Sequence, residues 1–539
     1  MGHIVHIAVS GACLIYLMLL ANLTAWAQHS VTRSEQDTPK VAADKGKVLL
    51  SLTYVLQEML KRNPALARER LTIQQAKADH IAAKGIFAFD LELDLKLNRS
   101  HLPVDIQVDS TLLGNYGDDL ALQNLRIEGY ILLSKRFSLG TVISMHFQNW
   151  WSLQDRLDFT SLLQQKPNPI IDTQNISATF TLRIDQPILR GAWRPVNLAP
   201  IWQAAEKVRM IEHQVAVVAG QYVLQTVHAY WDLVYAHSNL DIQSSALQVS
   251  QKQLNQTMAL IKAGKIPPLE QYQVKQVEAA RRGDWLLARE QVAIAETRLR
   301  ILLHLQPDAY VGDANYSREQ LALPDLTELI SFAQREHPQI AVAISQQKIA
   351  TLSVQTANNA TLPQLNFTSS FTFVGFGSSS SKDPNAVSPF EGAYSTLFDP
   401  RSHRFYVGVN LQIPLDNRAA QQKLVSHQIE LQRSQLQIEL LQRQLDLQIR
   451  QLHAQAQHAQ QRIAIAESSS IWAAKKLQAE QSKYQLGQST LYQILQYQQD
   501  LATAQLAQLR AFIDYRKNLA SLYHEAGKIL THYNVVASR

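Results

Sequence analysis

Residues 91–98 read Leu91-Glu92-Leu93-Asp94-Leu95-Lys96-Leu97-Asn98. Every odd position is leucine and every even position is charged or polar, so an extended chain here has one apolar side and one wet side. Three more segments obey the same rule. Phe180, Leu182 and Ile184 alternate with Thr179, Thr181, Arg183 and Asp185. Phe367, Phe371 and Phe373 alternate with Asn366, Thr368, Ser370 and Thr372, and Val407, Val409, Leu411 and Ile413 with Tyr406, Gly408, Asn410 and Gln412. Taken singly, each segment reads more readily as a half-buried strand of a soluble sheet than as a strand of a membrane barrel, because barrel strands are individually weak signals.

What lies between the strands decides the matter. Leu424, Leu431, Ile438, Leu445 and Leu452 recur at every seventh residue, the spacing of a coiled-coil seam. Val208, Ile211, Val215 and Val218 fall at helical three- and four-residue steps. The helical pattern runs from about 195 to 262 and from about 417 to 485, which at 1.5 Å per residue makes rods of roughly 100 Å. Strands of about ten residues set between such rods have little globular sheet to join. A barrel is the simpler home. Strands in lipid must close on themselves, since an open edge leaves peptide groups unpaired at several kcal/mol each. The smallest barrels have about eight strands, so four per chain require several copies to share one.

The whole chain agrees with this class. It has 539 residues, 46% hydrophobic and 18% charged, with a net charge of +6 spread over 51 basic and 45 acidic residues. No Lys or Arg run is dense enough to track a phosphate backbone, and no nucleic-acid partner is expected. Residues 1–27 hold an apolar core from Ile7 to Leu20 and end Ala25-Trp26-Ala27, a secretion signal with a small-x-small cleavage site. Its n-region carries histidines but no Lys or Arg, the pattern a retained anchor would also tolerate. Cys13, the one cysteine, lies inside this core, so the mature chain is expected to hold no thiol and hence no disulfide, Cys-ligated metal or Cys nucleophile. Beyond the signal, no stretch reaches the roughly 18 to 20 apolar residues of a spanning helix. A segment 28–50 comes after the signal.

The remainder reads as one unit written twice, over 51–323 and 324–530, with a tail at 531–539. MLKRNPALARERL (59–71) aligns with FAQREHPQIAVAI (332–344), RIDQPILRG (183–191) with LQIPLDNR (411–418), and IKAGKIPPLEQYQV (261–274) with YQLGQSTLYQILQY (484–497). Each copy runs helix, strands, a proline (Pro187 or Pro414) where strand gives way to rod, a glycine turn (Gly264 or Gly487) and a returning helix. In their order and duplication these features resemble the TolC-like outer-membrane efflux proteins, over nearly all of the mature chain.

That resemblance implies a fold that is mainly α with a membrane β-barrel: a long coiled-coil helical tunnel in the periplasm and a twelve-stranded transmembrane barrel shared by a homotrimer. It implies a passive conduit in the outer membrane for drugs, toxic solutes or polypeptides, serving a tripartite efflux pump or type I secretion system. The implied partners are a periplasmic adaptor (membrane fusion) protein, an inner-membrane pump and outer-membrane lipid. No cofactor is implied. By local match, Tyr484 takes the place of the family's gating tyrosine, Glu270 its acidic partner, Ser489 a latch arginine, and Gln493 and Gln496 the two aspartates of the lumen constriction. Glutamine in place of aspartate supplies neutral hydrogen bonding and predicts weaker cation selectivity. Tyr484 and Glu270 are equally readable as helix-surface residues beside a turn.

The first copy departs from the pattern by a surplus before Pro187. Leu125, Ile127, Ile131 and Leu133 alternate with Arg126, Glu128 and Tyr130; a turn at Phe137-Ser138-Leu139-Gly140 then leads to Ile143, Met145 and Phe147 alternating with Ser144, His146 and Gln148. This hairpin either joins the barrel, giving six strands per chain and eighteen per trimer, or folds as a soluble hairpin against the rim or tunnel. Trp150-Trp151 fits an aromatic belt or a site beneath a loop. Gly375 to Arg401, rich in Gly, Ser, Pro and Asp, is expected to be a surface loop.

An enzyme has little support: the sequence holds no HExxH, GxSxG or phosphate loop. His427, His453 and His458 share a rod but lack ligand spacing, so no metal site is expected. The alternative is a periplasmic coiled-coil scaffold or adaptor of an export complex, which would lack duplicated alternating strands.

Overall fold

The computed structural model describes residues 51–103, 121–158, 160–161, 164, 170–306, 321–380, 387–486 and 488–535. The signal peptide and Cys13, segment 28–50 and Gly487 lie outside the described residues. The chain divides into two units between Val48 and Leu49, and the described strands and helices all belong to the second.

Six strands form one antiparallel sheet in chain order: β1 (Phe89–Pro103), β2 (Ala121–Arg136), β3 (Val142–Leu157), β4 (Ile170–Pro187), β5 (Gln364–Ser380) and β6 (His403–Gln412). The surplus hairpin is β2 and β3, and it pairs on both sides within this sheet, with β1 and with β4. The four short-period segments are β1, β4, β5 and β6. Pro187 is the last residue of β4, while Pro414 lies just beyond the end of β6.

The chain passes between the sheet and the long helices at one end, beside Phe89, Pro187, Gln364 and Gln412. The short turn from β2 to β3 is at this end too, closed by Phe137 N–H on Thr141 O at 2.8 Å. There Gly140 has φ +91°, and a Cβ on it would meet the Gly191 carbonyl and the Pro187 ring. The connections from β1 to β2, β3 to β4 and β5 to β6 are all at the far end and all longer.

The helices are α1 (Leu52–Arg62), α2 (Pro64–Lys84), α3 (Arg194–Lys262), α4 (Glu270–Leu303), α5 (Leu326–Glu336), α6 (Pro338–Ala360), α7 (Pro389–Thr396), α8 (Arg418–Gln485), α9 (Leu491–Glu525) and α10 (Ile529–His532). The rods α3 and α8 have 69 and 68 residues, about 100 Å each. Beneath the sheet, α2 packs on α3, α3 on α6 and α6 on α8; α4 folds back along α3, and α9 along α8.

A break of one residue separates α1 from α2 and α5 from α6, and it is made the same way in both places. Asn63 (φ −70°, ψ 113°) ends α1 and caps α2, its side chain accepting from Ala65 N–H at 2.9 Å; Pro64 starts the new helix without needing a donor. His337 (φ −65°, ψ 125°) does the same before Pro338, its Nδ1 accepting from Gln339 N–H at 3.2 Å. Both caps are buried. Burial holds the His337 imidazole down to about 4, with nearby His524 adding to the effect.

The main core lies partway down the rods. Val55, Leu56 and Met59 of α1 pack with Val223, Val227, Tyr230 and Leu233 of α3, Leu299 of α4 and Ile513 of α9. Each such side chain stabilises the fold by about 1.5–3 kcal/mol. A second cluster joins Leu329 and Ala333 of α5 to Ile449 and Ala456 of α8 and Leu522 of α9. Among the described residues no helix is long and apolar enough to cross a membrane.

Candidate functional site: a two-faced sheet and the tips of two helical hairpins

Register turns the alternation of single strands into a property of the whole sheet. Leu93 pairs with Ile131, Ile131 with Phe147, Phe147 with Phe180 and Phe180 with Phe373. The neighbouring row runs Leu91, Leu133, Met145, Leu182, Phe371 and Phe405. Side chains in register share a face, so six strands put their apolar sets on one side. Leu91, Leu95, Leu97, Met145, Phe405 and Val409 are exposed there.

The opposite face is polar and bonded to itself. Tyr130 donates to Glu92 at 2.7 Å, Gln148 to Glu128, and Thr368 to Asp185 at 2.7 Å; Arg183 also pairs with Asp185 at 2.7 Å. Trp150 lies on this side, 4.8 Å beneath the Arg126 guanidinium, while Trp151 is on the apolar side between Ile127 and Ile176.

The sheet has two free edges. Among the described residues β1 pairs only with β2, and β6 only with β5. Unpaired peptide groups beside an exposed apolar face are unstable in water and in lipid alike. The helices repeat this incompleteness. Val425, Ile429, Leu436, Leu440 and Leu447 of α8, at four- and seven-residue steps, stand exposed in a stripe, as do Leu287, Ile294 and Ile301 of α4.

The reading of 375–401 as a loop is corrected. β5 runs on through Ser380, and Pro389–Thr396 form α7, which packs on β5 and β4. Gly375 and Gly377 are strand residues whose missing side chains make room for this helix. Their composition resembled a turn because glycine serves both ends.

At the other end of the rods are two turns. Gly264, φ +67°, closes the first: its N–H bonds Ile261 O and Lys265 N–H bonds Leu260 O, each at 3.0 Å, a Schellman closure that a left-handed glycine makes without strain. Glu270 opens α4 as its first residue, where a carboxylate complements the helix dipole. The second turn leads into α9 through a capping box of Thr490 and Gln493. Tyr484 packs against a cluster of Val274, Leu491 and Leu495, which ties the two hairpins together.

Ser489 donates to Glu480 Oε1 at 2.6 Å, and its Oγ lies 3.1 Å from Gln493 Oε1. Gln493 is thus bound into the cap, whereas Gln496 donates to Asp500 at 3.2 Å. Asp500 also takes Lys476 at 3.3 Å, and that ammonium stands 3.8 Å over the Tyr497 ring. Glu480, Lys476, Tyr497 and Asp500 escaped the sequence reading; the four-residue step from Gln496 to Asp500 was the available signal. Leu269, Tyr272, Leu486 and Tyr492 are exposed around the turns.

Known proteins share this architecture. Residues 329–528, from α5 into the end of α9 and beyond, match the outer membrane efflux protein family. The outer-membrane channel OprN shares the fold at a TM-score of 0.60 and 13% identity, covering 88% of this chain and 90% of that one. VceC, an outer membrane protein of Vibrio cholerae, gives 0.58 at 17% identity over 88% and 96%. The open state of the Neisseria gonorrhoeae MtrE outer membrane channel gives 0.57 at 14% identity over 93% and 98%. A comparison with curated proteins gives no match.

Proposed function

We propose that this chain is the outer-membrane channel of an efflux or export system, and that it works as a homotrimer. The observation that carries this reading is the exposed apolar face of a sheet with two free edges, held at one end of long rods. Three such sheets joined β1 to β6 make a closed barrel of eighteen strands in which no edge remains. The apolar side then meets lipid, and the polar side lines water. Short connections on the helix side and long ones on the far side obey the rule for outer-membrane barrels, with periplasmic turns short and external loops long. The stripes on α8 and α4 are covered by neighbouring copies in a helical tunnel.

In this reading the signal is residues 1–27, the two structural repeats occupy 51–323 and 324–530, and the tail comes last. The gate is at the hairpin turns, with Glu270, Tyr484 and Ser489 around it and Gln493 and Gln496 at the constriction. The exposed Leu269, Tyr272, Leu486 and Tyr492 suit contact with a periplasmic adaptor that links the channel to an inner-membrane pump. Transport is passive, and no residue is given a catalytic role. A periplasmic scaffold has no use for an apolar sheet of this extent.

Fractionation and mass test the reading. The protein is expected in carbonate-washed outer membranes and, in detergent, as a trimer by light scattering. A monomer soluble without detergent would overturn it.

A further inference from the structure

The helix α7 sits on the apolar face of the sheet, towards the far ends of β4 and β5. Its seat is centred on two glycines of β5. A Cβ on Gly375 would collide with the Ala393 carbonyl, and one on Gly377 with that of Pro389. Ala178, opposite Gly375, is fully buried, and Asn149 in the next strand donates to the Tyr394 hydroxyl. Ala393 and Leu397 form the buried underside, whereas Val387, Phe390 and Phe398 are 63%, 60% and 62% exposed.

Phe398 continues the apolar face of the sheet. The Phe398 ring is 6.2 Å from Phe180 and 5.4 Å from Phe373, and Phe373 is 4.9 Å from Phe371. Charge appears directly beside this surface, at Glu391 and in the Asp399–Arg401 pair of 2.8 Å, whose guanidinium is largely in solvent. A short helix that exposes Phe390, is flanked by the exposed Val387 and Phe398, and is bordered by charge beside a lipid-facing wall suits the boundary between headgroups and acyl chains.

We propose that α7 is an interfacial helix on the outside of the barrel: Val387, Phe390 and Phe398 enter the lipid of the outer leaflet and fix how deeply the sheet sits. This rests on the sheet's apolar face meeting lipid. The surface is therefore wider than the strands alone, and β4 and β5 touch α7 instead of lipid at Ala178, Gly375 and Gly377. The occupant is acyl chain and headgroup, at a depth of about 5–10 Å.

The test uses the mature trimer, with either Phe390→Cys or Met145→Cys labelled by an environment-sensitive fluorophore. Met145 is on the apolar face of β3, away from α7. The protein is placed in phosphatidylcholine vesicles carrying a nitroxide quencher near the headgroup or deep in the acyl chain. At position 390 the label is expected to emit to the blue of its value in water and to lose more emission to the shallow quencher than to the deep one. Adding Gly377→Val, which evicts α7, should shift the label at 390 to the red and abolish lipid quenching while position 145 stays quenched. Quenching at 145 with iodide-accessible emission at 390 overturns the proposal alone, as does a label at 390 that neither lipid nor iodide quenches. Loss of lipid quenching at both positions overturns the barrel reading itself.

Discussion

Trp150 and Trp151 are adjacent in the chain and lie on opposite faces of the sheet, the first beneath Arg126 on the polar side and the second between Ile127 and Ile176 on the apolar side. The same division runs down β3 to His146 and Phe147, which pair with Thr181 and Phe180 respectively. Phe147→Lys should therefore cost about 2–4 kcal/mol, as a cation on a lipid face near mid-membrane does. His146→Lys should change stability little. Urea unfolding of the protein in vesicles reads both; equal effects would mean that the two faces are not in different solvents.

Acid should loosen the helical part before it affects the strands. His337 is neutral when folded, with its proton affinity lowered to about 4 from an ordinary 6.5, so the unfolded chain binds the extra proton between those values. Stability is then full above about pH 6.5 and falls as pH drops towards 4, by on the order of 3 kcal/mol from this residue. Burial pushes His228, His524 and His532 in the same direction. His337→Asn copies the cap that Asn63 makes at α2 and removes the titrating group. The melting temperature of this variant should vary less between pH 7 and 5 than that of the parent protein.

Thr490 holds the start of α9 by accepting from Gln493 N–H at 3.4 Å. Thr490→Ala should lose about 1 kcal/mol locally, leaving the core untouched. Hydrogen exchange should accelerate for the amides of the first turn of α9 and not for those near Ile513. Equal acceleration at both would assign the turn a global role.

The proposed constriction is neutral at Gln493 and Gln496, both exposed. Replacing both with Asp should raise cation selectivity, seen as a larger reversal potential under a salt gradient in planar bilayers. Cation preference should weaken as salt screens the added charge. No change in reversal potential would move the constriction elsewhere on the rods.

Much of this fold was legible because its signals are long. Sixty-eight residues of unbroken helical pattern and four alternating strands leave few choices, and the ends of α3 and α8 fell within a residue of the expected positions. The hairpin of β2 and β3 was visible as strands, but its partners were not. Pairing on both edges depends on Leu133 meeting Leu91 and Met145 meeting Leu182, contacts that no local pattern reports.

The misreadings share a cause. Gly375 and Gly377 read as loop because glycine in a strand makes sense only beside a close neighbour, and that neighbour lay in the next segment of chain. At the hairpin turns, residue-by-residue matching names Gln496 but not Asp500, which bonds both Gln496 and Lys476 on the other helix.

The glycine seat under α7 also sets an order of assembly. Eight residues are too few to hold a helix alone in water. Tyr394 is anchored by Asn149 of β3, 245 positions earlier in the chain, and Ala393 rests on Gly375 and Gly377 of β5, opposite Ala178 and Ile176 of β4. The helix must therefore form after these distant strands have zipped, among the last events in the maturation of a subunit. A probe at Tyr394 would act as a clock, silent during early collapse and reporting only when the wall beneath it is complete.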